Sequence, residues 1–231
     1  MPSPATGLYN IPMLPDHGPL YLETDLSRFP AEPWATYSQL LFVAVVIYWA
    51  WRIRGQARSH RFIAWCLPLL LVQSVGSMAY HALRSHLGWM LLDVIPLYLV
   101  CVLAAGYLWR RFGLSRLLAV IAALVPSLGG AGLTYLLALR GHLGQALTYG
   151  GVFLAILVPA FALLPRLGPE RRFLPWAALA ALILALFFRS VDLQSGSVLP
   201  GVGTHWLWHA FGAAAVHLLI WNVYELDEKR T

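Results

Sequence analysis

The stretch Thr204-His205-Trp206-Leu207-Trp208-His209 opens the last of seven apolar segments in this chain. His205 and His209 are four residues apart, so they lie on one face of a helix, one turn from each other. Ionisable or metal-binding side chains are costly inside a membrane helix, so a pair of them there indicates a functional site. The stretch therefore predicts a membrane-spanning helix that carries a site near its start.

The composition of the whole chain is that of a polytopic membrane protein. Of the 231 residues, 59% are hydrophobic and 11% are charged, and the mean hydropathy is +0.67. Soluble domains carry about 25% charged residues. The composition excludes a soluble fold with a single anchor and leaves room for one domain. Cys66 and Cys101 lie in apolar segments, where we expect reduced, buried side chains and no disulfide framework.

Each of the seven apolar segments is close to the ~20 residues that cross about 30 Å of hydrocarbon. Backbone polar groups must be satisfied internally in lipid, so each segment is predicted to be a helix, and internal prolines are predicted to kink these helices without ending them. The predicted fold class is all-α, with seven transmembrane helices. The segments are 36–53, 62–83, 89–110, 116–139, 146–164, 174–192 and 204–225.

The distribution of basic residues predicts the orientation of these helices, because lysine and arginine concentrate on the cytoplasmic side. Of the 16 basic residues, 12 lie in the loops after the first, third and fifth segments and in the C-terminal tail. They are Arg52, Arg54, Arg58, Arg61, Arg110, Arg111, Arg116, Arg166, Arg171, Arg172, Lys229 and Arg230. The N-terminus is therefore predicted outside and the C-terminus inside. The predicted parts are an extramembrane segment (1–35), a transmembrane domain (36–225) and a cytoplasmic tail (226–231). No nucleic-acid partner is expected, because the basic charge serves orientation.

This topology places five polar side chains at one membrane depth. His81 lies near the outer end of the second segment, and Ser77 lies one turn deeper. Asp93 lies about one turn into the third segment, and His205 and His209 occupy the first two turns of the last. At ~1.5 Å of rise per residue, all five fall within ~10 Å of the outer ends of their helices. A single site near the outer face is predicted.

Three imidazoles and a carboxylate are suited to catalytic zinc, which takes three protein ligands and leaves its fourth position to water. We expect His81, His205 and His209 to be the ligands. Asp93 is the candidate general base, and Ser77 could donate to a developing oxyanion or position the water. Haem between two histidines is the main rival, although His205 and His209 share one face. The simpler alternatives are hydrogen-bonded core histidines and, for Asp93, a helix-start residue favoured by the macrodipole.

Four further residues are expected around this site. Arg189 and Asp192, three residues apart, are expected to form an ion pair near the outer mouth, where they could cap the pocket or hold the following loop. Trp206 and Trp208 are expected to line the entrance.

The motifs that carry these residues resemble those of the alkaline ceramidase family. Residues 76–83 contain Ser77-x-x-x-His81, and residues 92–96 contain Asp93-x-x-Pro96. Residues 188–192 and 200–209 resemble the family's pattern at helices 6 and 7, which ends in His-x-x-x-His. Residues 31–38 resemble the stretch that leads into helix 1. The matches run from residue 31 to residue 209 in the family's order.

This resemblance implies an intramembrane zinc held by His81, His205 and His209, with Asp93 and Ser77 beside the bound water. It implies hydrolysis of the amide bond of a lipid with a long acyl chain, such as ceramide, and a membrane-embedded enzyme. The wider superfamily includes adiponectin- and progestin-receptor-like proteins. The short loops are typical of a bacterial member, which predicts the inner (cell) membrane with the site near its outer face.

The eukaryotic members also carry an acidic calcium site before helix 1. Glu32 fits its last position, and Asp16, Glu23 and Asp25 lie in loosely similar places, but the Asp-Trp-Cys-Glu run is missing. Calcium is therefore the less supported of the two metals. Two other function classes remain open. One is a receptor- or sensor-like protein with a structural zinc and no useful turnover. The other is a transporter, which fits less well because transporters bind near the bilayer midplane.

Overall fold

The structure is a computed structural model that describes residues 14–139 and 141–228, and every regular element within them is a helix. Predictions that concern residues 1–13, Arg140 and 229–231 lie outside the described part of the chain. The α-helices are α1 (Pro33–Ser38), α2 (Leu40–Arg52), α3 (Arg61–Leu83), α4 (Leu87–Phe112), α5 (Arg116–Leu136), α6 (Gly141–Ala162), α7 (Phe173–Ser190) and α8 (His205–Glu228). Short 3₁₀ turns occur at Leu164–Arg166, Pro169–Arg171 and Leu193–Ser197.

In the described part of the chain, six helical segments are long and apolar enough to cross a membrane. They are Pro33–Arg52, Arg61–Leu83, Leu87–Phe112, Arg116–Leu136, Leu143–Ala162 and Pro169–Ser190. α8 has 24 residues but is not among them, because its histidines and the acidic residues near its end lower its hydropathy. The prediction of an all-helical fold with several helices of membrane-spanning type is confirmed for the described residues. That α8 is a seventh span and that the N-terminus lies outside stay predictions.

The predicted helix boundaries differ from the observed ones at both ends of the transmembrane domain. α1 begins at Pro33, before the predicted start at 36, because the Glu23 carboxylate accepts the N–H groups of Trp34 and Ala35 at 2.8 Å each. α8 continues through 226–228, so these three residues are helical. The internal prolines lie inside continuous helices, as predicted. They are Pro68, Pro96, Pro126 and Pro159.

The bundle of helices has two ends. We call one the site end, where α3 finishes beside the start of α1 and the N–H of Ala31 donates to the carbonyl of Ala82 at 2.9 Å. At the opposite end, Arg111 near the end of α4 donates to Asp227 near the end of α8 at 3.0 Å. α8 therefore runs from the site end to the opposite end, antiparallel to α3.

The packing of the helices brings the segments with predicted site residues together. α1 and α2 pack on α3 and α8, α7 packs on α8, and α3 packs on α4. A Cβ atom at Gly76 would lie 2.7 Å from the backbone carbon of Leu92, so only glycine permits this approach of α3 to α4. Large side chains such as Trp65, 78% exposed, and Leu117, 69% exposed, face outward, as lipid contact requires.

Candidate metal centre

His81 of α3 and His205 and His209 of α8 meet at the site end of the helices. All three are buried, and their candidate ligand atoms lie within 4.8 Å of one another. The ring centroids are 4.6 Å apart for His205 and His209, 4.9 Å for His81 and His209 and 5.2 Å for His81 and His205. Among the described residues, this is the group of three or more histidine, cysteine or acidic side chains that could hold a metal ion.

His81 is oriented by Glu32. The Glu32 carboxylate lies 2.5 Å from His81 Nδ1, and the Glu32 N–H donates to the His81 carbonyl at 3.1 Å. Glu32 thus fixes both the ring and the end of the helix that carries it. A histidine that donates Nδ1–H to a carboxylate presents Nε2 to a metal with increased basicity. His81 is set up as a ligand through Nε2.

His209 is oriented by the last turn of α1. Its Nδ1 lies 2.8 Å from Ser38 Oγ and 3.2 Å from the Ala35 carbonyl oxygen. The Ser38 hydroxyl donates its single proton to the same carbonyl at 2.8 Å. The His209–Ser38 hydrogen bond therefore needs its proton from Nδ1. This tautomer leaves the Nε2 lone pair free for a metal.

His205 is held by stacking and by its backbone. Its ring stacks on Tyr21 with the centroids 3.7 Å apart and the planes 21° from parallel. Its Nδ1 is buried and has no hydrogen-bond partner among the described residues. Burial raises the pKa of the Tyr21 phenol, so that ring stays neutral beside the histidine. A buried imidazole with an unpartnered nitrogen fits a metal ligand, so the three histidines together fit zinc.

Asp192 fixes the start of α8 and with it the backbone of His205. Its Oδ1 accepts the N–H groups of Thr204 at 2.7 Å and His205 at 2.8 Å, and its Oδ2 accepts that of Leu22 at 2.9 Å. Gly203 has a φ of +69°, and a Cβ there would lie 2.4 Å from Asp192 Oδ1. Only glycine allows this close approach. Asp192 therefore couples the first ligand of α8 to the N-terminal segment.

The prediction that Arg189 and Asp192 form an ion pair is wrong, and both residues lie in the described part of the chain. α7 ends at Ser190, so the two side chains do not share a helix face, and the Asp192 carboxylate is taken up by backbone donors. The Arg189 guanidinium instead lies over the rings of Trp208, at 5.1 Å, and Tyr149, at 5.4 Å. These contacts put Arg189 in an aromatic environment beside α8.

The two tryptophans of α8 have different surroundings. Trp206 lies near Trp34 of α1, with the ring centroids 6.0 Å apart, and its Nε1 has no partner among the described residues. Trp208 faces Tyr149 of α6 at 5.0 Å. Their part in a substrate entrance stays a prediction.

Ser77 and Asp93 lie on the neighbouring faces of α3 and α4. Ser77 is fully buried one turn before His81, and its Oγ has no hydrogen-bond partner in the described chain. Asp93 is half-buried, and its Oδ1 accepts a hydrogen bond from Gln73 Nε2 at 3.0 Å. These contacts leave the predicted roles of base and hydrogen-bond donor open to test.

The predicted calcium residues are bonded to protein groups and point to different places. The Glu32 carboxylate binds His81 and the guanidinium of Arg84. The Glu23 carboxylate caps α1, and burial raises its pKa to about 6. Asp25 is exposed and accepts a hydrogen bond from the Ser27 hydroxyl at 2.6 Å. The arrangement of these side chains does not fit a calcium ion.

Three residues that contact the site, Gln73, Ser38 and Tyr21, were not predicted from the sequence. Gln73 could have been found, because Gln73, Ser77 and His81 follow one another at intervals of four in an apolar helix. Ser38 lies in the stretch before α2, with no pattern that assigns it to His209. Tyr21 lies in an irregular segment, where no periodicity indicates its stacking on His205.

Comparison with protein-family models and with curated proteins gives no match for this chain. Its function must therefore be inferred from the arrangement of the site.

Proposed function

We propose that this chain is a zinc-dependent intramembrane hydrolase that cleaves the amide bond of a long-chain lipid. The substrate is ceramide or a ceramide-like N-acyl lipid, and the products are a free fatty acid and an amine. The observation that carries the proposal is the convergence of three buried histidines, two of which are held through Nδ1 by protein acceptors. The resemblance to alkaline ceramidases in the motifs around these histidines supplies the substrate class.

His81, His205 and His209 would hold the metal, which would polarise the scissile carbonyl and lower the pKa of a water molecule. Three neutral imidazoles leave the ion its full charge. Because the three rings are buried, the charge acts in a medium of low dielectric constant, where it is most effective.

Asp93 is the group we assign to proton transfer. The Gln73 amide holds one carboxylate oxygen at 3.0 Å, which fixes the side chain and leaves its second oxygen to act as acceptor. Asp93 would take a proton from the attacking water and deliver it to the leaving amine. Ser77 would donate its hydroxyl proton to the carbonyl oxygen as negative charge develops there, because its Oγ is committed to no described residue.

We place the protein in a bacterial inner membrane, with the site end outward and the acyl chain between helices. The basic loops at the opposite end motivate this orientation. Single cysteines at residues 195 and 115, in a chain without Cys66 and Cys101, should label from opposite sides of the membrane. An impermeant reagent should reach residue 195 in intact cells and residue 115 only after lysis, and the reverse pattern would refute the orientation.

The test of the activity is incubation of the purified, zinc-loaded protein with a panel of lipid amides of different acyl chains and head groups. Mass spectrometry should detect the free fatty acid, and a chelator should abolish its release. The matched control is His86→Ala, which changes an exposed histidine at the start of α4 that is not one of the three clustered histidines and should retain activity. No hydrolysis by zinc-loaded protein across the panel would reject the proposal.

A receptor- or sensor-like protein with a structural zinc is the second candidate. It is favoured by the way the N-terminal segment contacts the ligands: Glu32 binds His81, Tyr21 stacks on His205, and Ser38 binds His209. Such an enclosure also suits a metal that only holds helices together. Tight binding of fatty acid or lipid amide by zinc-loaded protein, without hydrolysis, would select this candidate.

A further inference from the structure

Arg84 is a buried arginine in a strained position next to the metal centre. It follows the last residue of α3, is 1% exposed and has φ 45° and ψ 37°, in the left-handed region. This conformation is unfavourable for a residue with a Cβ, and glycine is the usual choice after a helix. A strained backbone persists only when the surrounding structure holds it in place, and here the contacts of the Arg84 side chain do so.

The guanidinium of Arg84 is bound on every side by the N-terminal segment. Its Nε donates to Asp16 Oδ2 at 2.6 Å, and its Nη2 donates to Asp16 Oδ1 at 3.2 Å and to the Pro19 carbonyl at 2.8 Å. Its Nη1 donates to Glu32 Oε1. The rings of Tyr80, at 4.8 Å, and Tyr21, at 5.5 Å, pack against the cation. The guanidinium makes four hydrogen bonds in a planar arrangement that a lysine could not reproduce.

The contacts of Arg84 lead directly to a metal ligand. Glu32 binds the guanidinium through one carboxylate oxygen and His81 Nδ1 through the other, at 2.5 Å. Thr24 Oγ1 donates to the same oxygen of Glu32 as Arg84, so these two residues together determine which way the second oxygen points. Since Glu32 orients His81, the position of Arg84 is passed on to the imidazole through a single carboxylate.

The oxygens that surround Arg84 are those that a divalent cation would use. Two buried carboxylates, of Asp16 and Glu32, and the Pro19 carbonyl surround the guanidinium, and oxygen ligands of this kind bind calcium. The guanidinium already occupies the space between them and supplies the opposing charge. The two acidic residues therefore need no added ion to remain together.

We propose that Arg84 is a positioning residue of the metal centre, a tethered cation that stands where a calcium ion would otherwise join the N-terminal segment to His81. The inference rests on the proposed metal centre. It explains why the acidic residues before α1 do not form a calcium site in this chain. It also makes zinc binding independent of calcium.

The experiment compares full-length variants by chelator competition for zinc and by the visible absorption of the cobalt(II)-loaded protein. Arg84→Gly removes the guanidinium and relieves the backbone strain, Arg84→Lys keeps a point charge, and Arg58→Ala removes an exposed arginine from a distant loop. Loss of a partner that orients a ligand costs about 10- to 100-fold in metal affinity, and we expect that range for Arg84→Gly. Arg84→Lys should lose less zinc affinity than Arg84→Gly, and Arg58→Ala should have the affinity of the wild type.

The cobalt spectrum separates positioning from simple stability. A change in the orientation of His81 shifts the absorption bands of the loaded fraction, whereas a loss of stability alone leaves them in place. We expect shifted bands for Arg84→Gly, smaller shifts for Arg84→Lys and none for Arg58→Ala. Millimolar calcium should leave the zinc affinity of the wild type unchanged.

Wild-type zinc affinity and spectrum in Arg84→Gly would overturn the inference, as would an increase in wild-type zinc affinity on adding calcium. If Arg84→Gly does not fold, Asp16→Asn decides, because the Asp16 side chain touches no histidine and is bonded to Arg84 and to the N–H of Gly18. A wild-type affinity and spectrum for Asp16→Asn would then overturn the inference. A wild-type protein that holds no zinc would reject the metal centre itself, which is a different outcome.

Discussion

The two ends of this protein each contain buried histidine and acidic side chains, but only one of them has the form of a metal site. At the opposite end, His60 Nε2 lies 2.9 Å from Glu228, and Asp227 lies 3.6 Å from His60 Nδ1 and 3.0 Å from Arg111. At the site end, three imidazoles face one another, and their acidic and hydroxyl partners lie on the outer side of the rings. Burial of a histidine is common to both ends, so it does not identify a ligand.

The difference lies in what each histidine faces. His60 stacks on Tyr224 and is flanked by carboxylates, an arrangement that ties the start of α3 to the end of α8. His81 also has a carboxylate partner, but its second nitrogen points to other nitrogens and not to an acid. An unpartnered nitrogen does not separate the two ends, because His60 Nδ1 and His205 Nδ1 are both buried without a hydrogen bond in the described chain. What separates them is that three imidazole nitrogens lie within reach of one ion at the site end.

The largest expected effect is on zinc content, when a variant that lacks a histidine at the site end is compared with one that lacks a histidine at the opposite end. His209→Ala should lose most of the zinc, about one ion per chain in the wild type, because three protein ligands are the usual minimum for a catalytic site. His60→Ala should keep the zinc and lower the thermal midpoint, because it leaves the carboxylates of α8 without that partner. Elemental analysis of protein purified without added metal measures the first effect. Equal zinc content in the two variants would contradict the distinction between the two ends.

The next effect concerns two aspartates, one at each end. Asp93→Asn keeps the shape of the side chain but removes the proposed base, so hydrolysis of a lipid amide should be at least ~10²-fold slower, with zinc retained. Asp227→Asn, in the cluster around Arg111, should leave the rate per folded molecule unchanged. Single-turnover rates and zinc content are measured on the same samples. Full activity of Asp93→Asn would remove Asp93 from the mechanism.

The sequence predicted which three histidines meet and not the groups that orient them, for a physical reason. His81, His205 and His209 lie on regular helices whose spacing and depth follow from periodicity. Ser38 and His209 are 171 residues apart, and such a contact depends on how irregular segments fold back, which periodicity does not encode. The ion pair between Arg189 and Asp192 failed for the related reason that α7 ends between them.

A smaller effect is expected for Asp192, which anchors α8 without touching the metal cluster through its side chain. Asp192→Asn would turn an amide N–H₂ group toward backbone N–H donors of Leu22, Thr204 and His205. We expect a loss of about 1–3 kcal/mol of stability from the broken hydrogen bonds. Zinc affinity should fall by up to ~10-fold, the lower end of the loss expected when a supporting contact is removed. Asp227→Asn should lower stability and leave zinc affinity unchanged, and the same loss of affinity in both would show that stability alone controls binding.

The smallest effect is a pH dependence that the N-terminal segment adds to stability at the site end. Burial raises the pKa of Glu23 from 4.5 to about 6, although the N–H groups of Trp34 and Ala35 act in the other direction. Between these two values the folded protein keeps a proton that the unfolded chain has lost, so stability falls as pH rises from 4.5 through 6. A pKa shift of this size changes the free energy of unfolding by at most about 2 kcal/mol.

Glu23→Gln removes this titration, so the difference in thermal midpoint between Glu23→Gln and the wild type should change between pH 4.5 and pH 6.5 and stay constant above it. Histidine protonation and zinc loss act on both proteins, and the comparison of the two cancels their contribution. The midpoints are measured by loss of helical circular dichroism at matched zinc concentrations. Parallel pH curves for the two proteins would show that the pKa of Glu23 is the same in the folded and the unfolded chain, so that burial at the start of α1 does not raise it.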